Sequence, residues 1–308
     1  MKKVISEISG AVFSLPWMVA KDYGLFEAEG IDMEFVQANT SGIVDHTENP
    51  NEVNPILGHT AFEEARVSIY RAREEGQVRR AYESNQGAKV ISLRSAVASQ
   101  AILVRPQSDH YYPGTLGNKP VAVQFHAGSH YVALRLLEGY LSRDDIKLVH
   151  YGSPQHRFEA LLNGEVEAAA LMEPWITLAE KLGCRAVCEG HYLGAENASD
   201  SMDPETFASI NKAVVKAVDM INSDKRKYLH YLIDDPRFAA VAKQYGGITP
   251  EDFHLPRLRY SYNTPYSDQI VSDTYHWMLG WGLLNEGACD SNLVENRVAA
   301  GLATNADD

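Results

Sequence analysis

The sequence predicts an α/β fold of two lobes, each a mostly parallel sheet flanked by helices, followed by a helical C-terminal tail. Three observations lead there. Short apolar runs alternate with amphipathic helical runs through the first two thirds of the chain, the pattern of parallel strands covered by helices on both faces. At 308 residues and 45% apolar composition the chain exceeds one ordinary core, and two lobes of roughly 100–150 residues are the expected division. Beyond residue 200 the strand pattern stops, and helical runs follow at 203–222, 223–232, 236–245 and 267–284.

Taken in order, residues 4–9 alternate as a strand, Gly10 turns the chain, and residues 11–22 form a helix carrying Leu15, Trp17, Met18 and Ala20. The stretch from Gly24 to Asp32 leads into a second strand at Met33, Glu34, Phe35 and Val36. Residues 90–92 and 101–104 are further strands, and the polar stretch between them suits a first crossing between lobes near 94–100. Val121, Ala122 and Val123 form a buried strand. Gly128 then turns it into a helix with Ser129 at the N-cap position and Tyr131, Leu134, Leu137 and Leu141 on one face. The start of such a helix offers unpaired N–H groups and a partial positive charge to an anion. Residues 184–189 and the turn-rich 191–203 carry the return. The expected lobes are therefore residues 1–100 plus 191–308, and residues 101–190, with a ligand cleft between them.

A net charge of −13 without a basic stripe argues against nucleic acid or an anionic membrane as partner. No window supplies the roughly 18 apolar residues of a membrane span. Met1, Lys2 and Lys3 run straight into the first strand without an apolar leader region, so a cytoplasmic location is expected, periplasmic only if a native signal peptide once preceded Met1. Cys184, Cys188 and Cys289 are too few for a disulfide framework. Cys184 and Cys188 also lack neighbours at ligand spacing, so neither metal nor cofactor is expected.

Residues 14–36, read as SLPWMVAKDYGLFEAEGIDMEFV, resemble the opening of the solute-binding proteins of sulfonate, nitrate and thiamine-precursor type. The likeness continues at 117–137, with Asn118 inserted between Gly117 and Lys119, and at 160–175, read as ALLNGEVEAAALMEPW. It covers roughly residues 1–195. It implies the type II periplasmic-binding-protein fold, with Trp175 as an aromatic wall of the cleft and Glu173 as a cap or hinge.

Ligands of open α/β sheets sit beyond the carboxyl ends of the strands. That singles out Ser9, Gly10 and Ala11, residues 37–42 and 83–86, Arg94 and Ser95, residues 124–130, and residues 173–175. The segment 42–60 departs from the family. It is long and polar, punctuated by Pro50 and Pro55, and carries His46, Glu48, Glu52 and His59. There His46, Thr47, Asn49 and Pro50 resemble the biphenyl sulfinate desulfinases, with Gly58 near that family's glycine turn. The desulfinase cysteine falls near Ala11 here, and Pro55, Ile56 and Leu57 stand where its arginine would be, so the thiol mechanism does not carry over.

The expected acid–base groups are His46 with Glu48 or His59, because imidazole titrates near working pH. The expected ligand-binding residues are Ser9, Gly10, Ala11, Asn39, Thr40, Ser41, Gln124, His126, Gly128, Ser129, His130, Glu173 and Trp175. His110, His150, His191, His230 and His254 read as bystanders in turns or on polar faces. The sum is a cytosolic enzyme on a solute-binding scaffold, acting on a small aromatic or carboxylated molecule by acid–base lysis or hydrolysis. The alternatives are the non-catalytic substrate-binding component of an ABC-type importer and a cytosolic ligand sensor. The expected partner is a small organic ligand, anionic or aromatic; a homodimer is compatible with the sequence.

Overall fold

The computed structural model of the chain describes residues 1–38, 46–54, 59–83, 89–284 and 293–298, with backbone alone at 80–83. The chain opens with β1 (Lys2–Ile8), α1 (Ala11–Asp22), α2 (Leu25–Ala28) and β2 (Ile31–Gln37), then α3 (Thr60–Glu63), β3 (Ile69–Ala72), α4 (Glu74–Glu83) and β4 (Lys89–Leu93). A second sheet begins with β5 (Ala96–Val104), and β6 (Pro120–Val123), α5 (Gly128–Leu137), β7 (Lys147–His150), α6 (Pro154–Asn163), β8 (Ala168–Met172), α7 (Trp175–Lys181) and β9 (Arg185–Tyr192) complete its frame. The return strand β10 (Ala195–Ala198) precedes α8 (Pro204–Ser223), α9 (His230–Ile233), α10 (Pro236–Gln244), β11 (Arg259–Tyr260) and α11 (Asp268–Gly280).

The first sheet runs β2-β1-β3-β10-β4; the second runs β11-β5-β8-β6-β7, with β9 also on β5. Parallel pairs form the heart of each: β1 with β2 and β3, and β6 with β7 and β8. Strands that carry the chain between sheets add antiparallel pairs, β10 on β3 and β4, and β5 on β8 and β9, so both sheets are mixed. Gly24 and Gly30 bracket α2 at φ 68° and 77°, backbone that glycine adopts without a Cβ penalty, which explains the glycine spacing ahead of β2. α8 buries Phe207, Ile210, Val214 and Ile221 in the same apolar cluster as Leu15, Trp17 and Phe26 of the first sheet's helices.

Three local expectations change. The crossing near 94–100 shrinks to Arg94 and Ser95, because β5 already runs from Ala96. Its polar members Ser99 and Gln100 are buried in the strand, and the Ser99 hydroxyl donates to Glu189 at 2.5 Å. Ala127 rather than Ser129 is the N-cap of α5, with no side-chain cap. The Ser129 hydroxyl instead turns back to accept the Gln124 N–H at 2.8 Å. His150 is no polar-face bystander: it is fully buried, and its Nδ1 accepts the Phe125 N–H at 3.0 Å.

Candidate functional site

A cavity of about 540 Å³ lies between the two sheets, where β1, β3, β6 and β8 end. Its second-sheet wall is the turn from Gln124 into α5. Three successive amides of that turn are committed to side chains: Gln124 N–H to Ser129, Phe125 N–H to His150, and His126 N–H to Nδ1 of His130 at 3.2 Å. His126 takes φ 62° and is held by both ring nitrogens, Nδ1 facing Arg79 and Nε2 facing the Pro50 carbonyl, each at 2.8 Å. An arginine can only donate, so Nδ1 is the acceptor and Nε2–H donates to Pro50, which assigns the neutral tautomer. Burial, reinforced by Arg79, pushes His126 down to about 4; burial, then the neighbouring His126, pushes His130 down to about 3. With these donors committed, the Gly128 and Ser129 N–H groups at the start of α5 have no acceptor among the described residues. They stand at the positive end of a helix dipole, an arrangement that can receive an anion. A Cβ at Gly128 would stand 3.2 Å from Cδ of Arg73 and 3.3 Å from the Tyr192 hydroxyl oxygen, so the bare backbone keeps the cavity open.

Arginines supply the rest of the electrostatics. Arg71, Arg73, Arg94, Arg157 and Arg237 all line the cavity. Arg157 is 2% exposed; Nε donates to the Ala170 carbonyl at 2.9 Å and Nη1 to the Gly152 carbonyl at 2.6 Å. No carboxylate acts on Arg157 among the described residues, and burial pulls it down to about 9, still cationic at neutral pH. Arg73 stacks 4.2 Å above Tyr192, and Arg94 lies 4.6 Å from the Phe13 ring. Phe13, Phe125, Trp175 and Tyr192 form apolar walls.

Of the expected ligand-binding residues, Ser9, Gly10, Ala11, Gln124, His126, Gly128, Ser129, Glu173 and Trp175 line this cavity. His130 does not; it is buried behind the turn as an acceptor. Asn39, Thr40 and Ser41 lie outside the described residues, as do residues 55–58 and Cys289. Trp175 packs edge-on against Phe238 at 5.0 Å while presenting to the cavity. Oε2 of Glu173 accepts from the Thr177 N–H and hydroxyl at 3.2 and 2.7 Å, tying the start of α7.

The acid–base set is not brought together. His46 is exposed, edge-on to Tyr151 at 4.8 Å, and Glu48 is exposed; neither lines the cavity. His59 does line it, with Nδ1 2.6 Å from Oε1 of the buried Glu7. Sequence reasoning missed Glu7 and all the arginines except Arg94, which falls among the post-strand positions. A signal did exist: Arg71 and Arg73 stand two apart at the end of β3, which places them on one face.

The fold is that of the periplasmic binding proteins. No protein-family model matches the chain, and no curated protein matches its sequence. Among solved structures, the chain is similar to the alkanesulfonate-binding protein SsuA from Xanthomonas axonopodis pv. citri bound to MOPS, with a TM-score of 0.70 at 17% identity over 93% of this chain and 95% of that one. The periplasmic aliphatic sulphonate binding protein SsuA from Escherichia coli gives 0.69 at 15% identity, over 92% and 89%. A point mutant of DszB in complex with biphenyl-2-sulfinic acid gives 0.61 at 15% identity, over 96% and 97%. Among the described residues, no helix is long and apolar enough to cross a membrane.

Proposed function

We propose that the chain is a receptor for a small organic anion of the sulfonate, sulfinate or carboxylate class, bound in the cavity between the sheets. The observation that carries this reading is Arg157: a guanidinium buried in the cavity wall without a carboxylate partner, on the same side as the unpaired amides of Gly128 and Ser129. An unpaired buried charge is costly, and an anion offsets that cost on arrival. The anionic head takes the guanidinium and amide donors, and the body of the ligand lies against Phe13, Phe125, Trp175 and Tyr192. The solved neighbours that hold a sulfonate buffer and a sulfinic acid on this fold support the ligand class. Calorimetry with benzenesulfonate, benzoate and the neutral benzamide tests it: the anions bind and benzamide does not. Equal binding of benzamide sinks the reading.

A second reading, an enzyme, is favoured by one observation, the contact between His59 and the buried Glu7 carboxylate at the cavity wall. A carboxylate-held imidazole is a competent acid–base pair, and it would replace the expected set of His46, Glu48 and His59 in lysis or hydrolysis of the bound anion. Mass spectrometry of a tightly bound ligand after long incubation separates the two. An unchanged ligand supports the receptor; conversion that disappears in His59→Ala supports the enzyme. Subcellular fractionation then distinguishes an importer component from a cytoplasmic sensor or enzyme.

A further inference from the structure

The charge balance around the cavity carries the anion reading one step further. Arg237 is paired with Asp235, Nη2 to Oδ2 at 2.6 Å. Arg73 is paired with the buried Glu75, Nε to Oε2 at 2.6 Å, and against the burial that would raise it, Arg73 holds Glu75 below the usual carboxylate range. Arg71 stands 3.8 Å from the fully buried Glu196 and donates to the Ser6 hydroxyl at 2.8 Å. Two lining guanidiniums remain without a carboxylate at ion-pair distance among the described residues, Arg157 and Arg94.

Arg94 is built in as firmly as Arg157. It is 4% exposed, its Nε donates to the Ala96 carbonyl at 2.7 Å, and its plane lies against the rings of Phe13 and Tyr192 at 4.6 and 5.1 Å. Its Nη2 is buried with no hydrogen-bond partner. The return segment makes room for it at Gly194, where a Cβ would fall 2.6 Å from the Arg94 Cζ. Arg94 comes from the junction of β4 and β5 and Arg157 from α6, so each sheet contributes one cation without an ion-paired carboxylate, Glu74 and Glu196 acting on Arg94 only from beyond that distance. Arg157 keeps its proton at neutral pH even though burial pulls it down to about 9. Aromatic stacking helps to hold Arg94 in place but supplies no counter-charge.

Resting on the anion-receptor reading, we infer that the physiological ligand is a dianion on an aromatic or apolar body, whose two negative charges neutralise Arg94 and Arg157 together. The two charges sit either on one phosphate-type group between the guanidiniums or on two separate heads; the shared requirement is a net charge of two. A monoanion leaves one guanidinium buried and unpaired.

The test is calorimetry on the full chain at low salt and at a pH above the second phosphate pKa, with benzenesulfonate against meta-benzenedisulfonate, meta-sulfobenzoate and phenyl phosphate. At least one dianion binds at least about tenfold more tightly than benzenesulfonate, as a second close charge in a low-dielectric site requires. Arg94→Gln brings that ratio to within about twofold. Phenyl phosphate in front places both charges on one group; a disulfonate or sulfobenzoate in front places them on two heads; either supports the inference. Benzenesulfonate binding as tightly as all three dianions overturns the second charge and leaves the anion site standing. If none of the anions binds, both readings fall. The wild-type comparison decides the matter even if Arg94→Gln does not fold.

Discussion

The turn at 124–130 and the polar segment beginning at His46 lie against each other, joined by the Pro50 carbonyl and His126, and both carry histidine and hydroxyl groups. They do different work. In the turn, His130, His150 and Ser129 each accept one backbone N–H, and the Gly128 and Ser129 N–H groups keep no acceptor among the described residues. In the segment, Thr47 exchanges backbone hydrogen bonds with His150 at 3.3 and 2.9 Å, Pro50 accepts from His126, and Val53 is buried in the apolar cluster of Phe125, Ile102 and Val104. The segment ties the first sheet's side of the molecule to the second sheet, with His46 and Glu48 turned outward. The strand-to-helix pattern marked the turn and polar density with two prolines marked the segment; their buried partners separate their roles.

The largest expected effect separates the two regions outright. Arg157→Met weakens benzenesulfonate binding by about 100-fold, the scale of losing one partner of a buried charge pair, while His46→Ala changes it by less than about twofold. Matched losses in calorimetry would erase the distinction. Next is the acid limb of stability. The pKa of His130 is about 3 in the fold against an ordinary 6.5, so the unfolded chain takes up the proton first. Its stabilising share is complete above pH 6.5 and is lost as pH falls towards about 3, amounting to about 2 kcal/mol by pH 5. His130→Asn, whose side-chain oxygen replaces Nδ1 as acceptor for the His126 N–H, flattens melting temperature against pH between 6.5 and 4; an unchanged slope would assign the acid sensitivity elsewhere. Burial raises Glu173 to about 7, so its share has the opposite sign, complete below about 4.5 and lost as pH rises through 7, and both variant and wild type retain it.

Val53→Ala tests the tie. Removing its methyl groups from the cluster costs about 1–2 kcal/mol, read as a lower urea midpoint with ligand affinity preserved. Ser129→Ala gives the smallest change, about 1 kcal/mol for the lost acceptor of the Gln124 N–H, or roughly 2–4 °C in melting temperature. A loss of anion affinity in Ser129→Ala without that thermal shift would mean the hydroxyl faces the ligand instead.

The fold was legible because its signals are local. Gly24 and Gly30 sit where the backbone is left-handed, and the run from Val121 to Leu137 shows its strand and helix by period alone. One wall of the site was legible for the same reason, since Gly128 and Ser129 follow a strand and open a helix. The opposite wall was not. Arg71 and Arg73 on that wall, and Arg157 on the same side as Gly128, drew no reading from the sequence, because arginine is rarely buried unless it is paired. Their burial depends on the two sheets closing over them, a long-range fact that spacing does not encode. Glu7 was hidden likewise: an alternating strand places it on one face, but its partner His59 lies 52 residues further along.

Whether the anion sits at the start of α5 can be read in an amide NMR titration with benzenesulfonate. The Gly128 and Ser129 N–H resonances are expected to move most, together with the Arg157 Nε–H, while the amides of residues 46–54 hold their positions. Shifts concentrated in residues 46–54, with Gly128 and Ser129 unmoved, would contradict that placement.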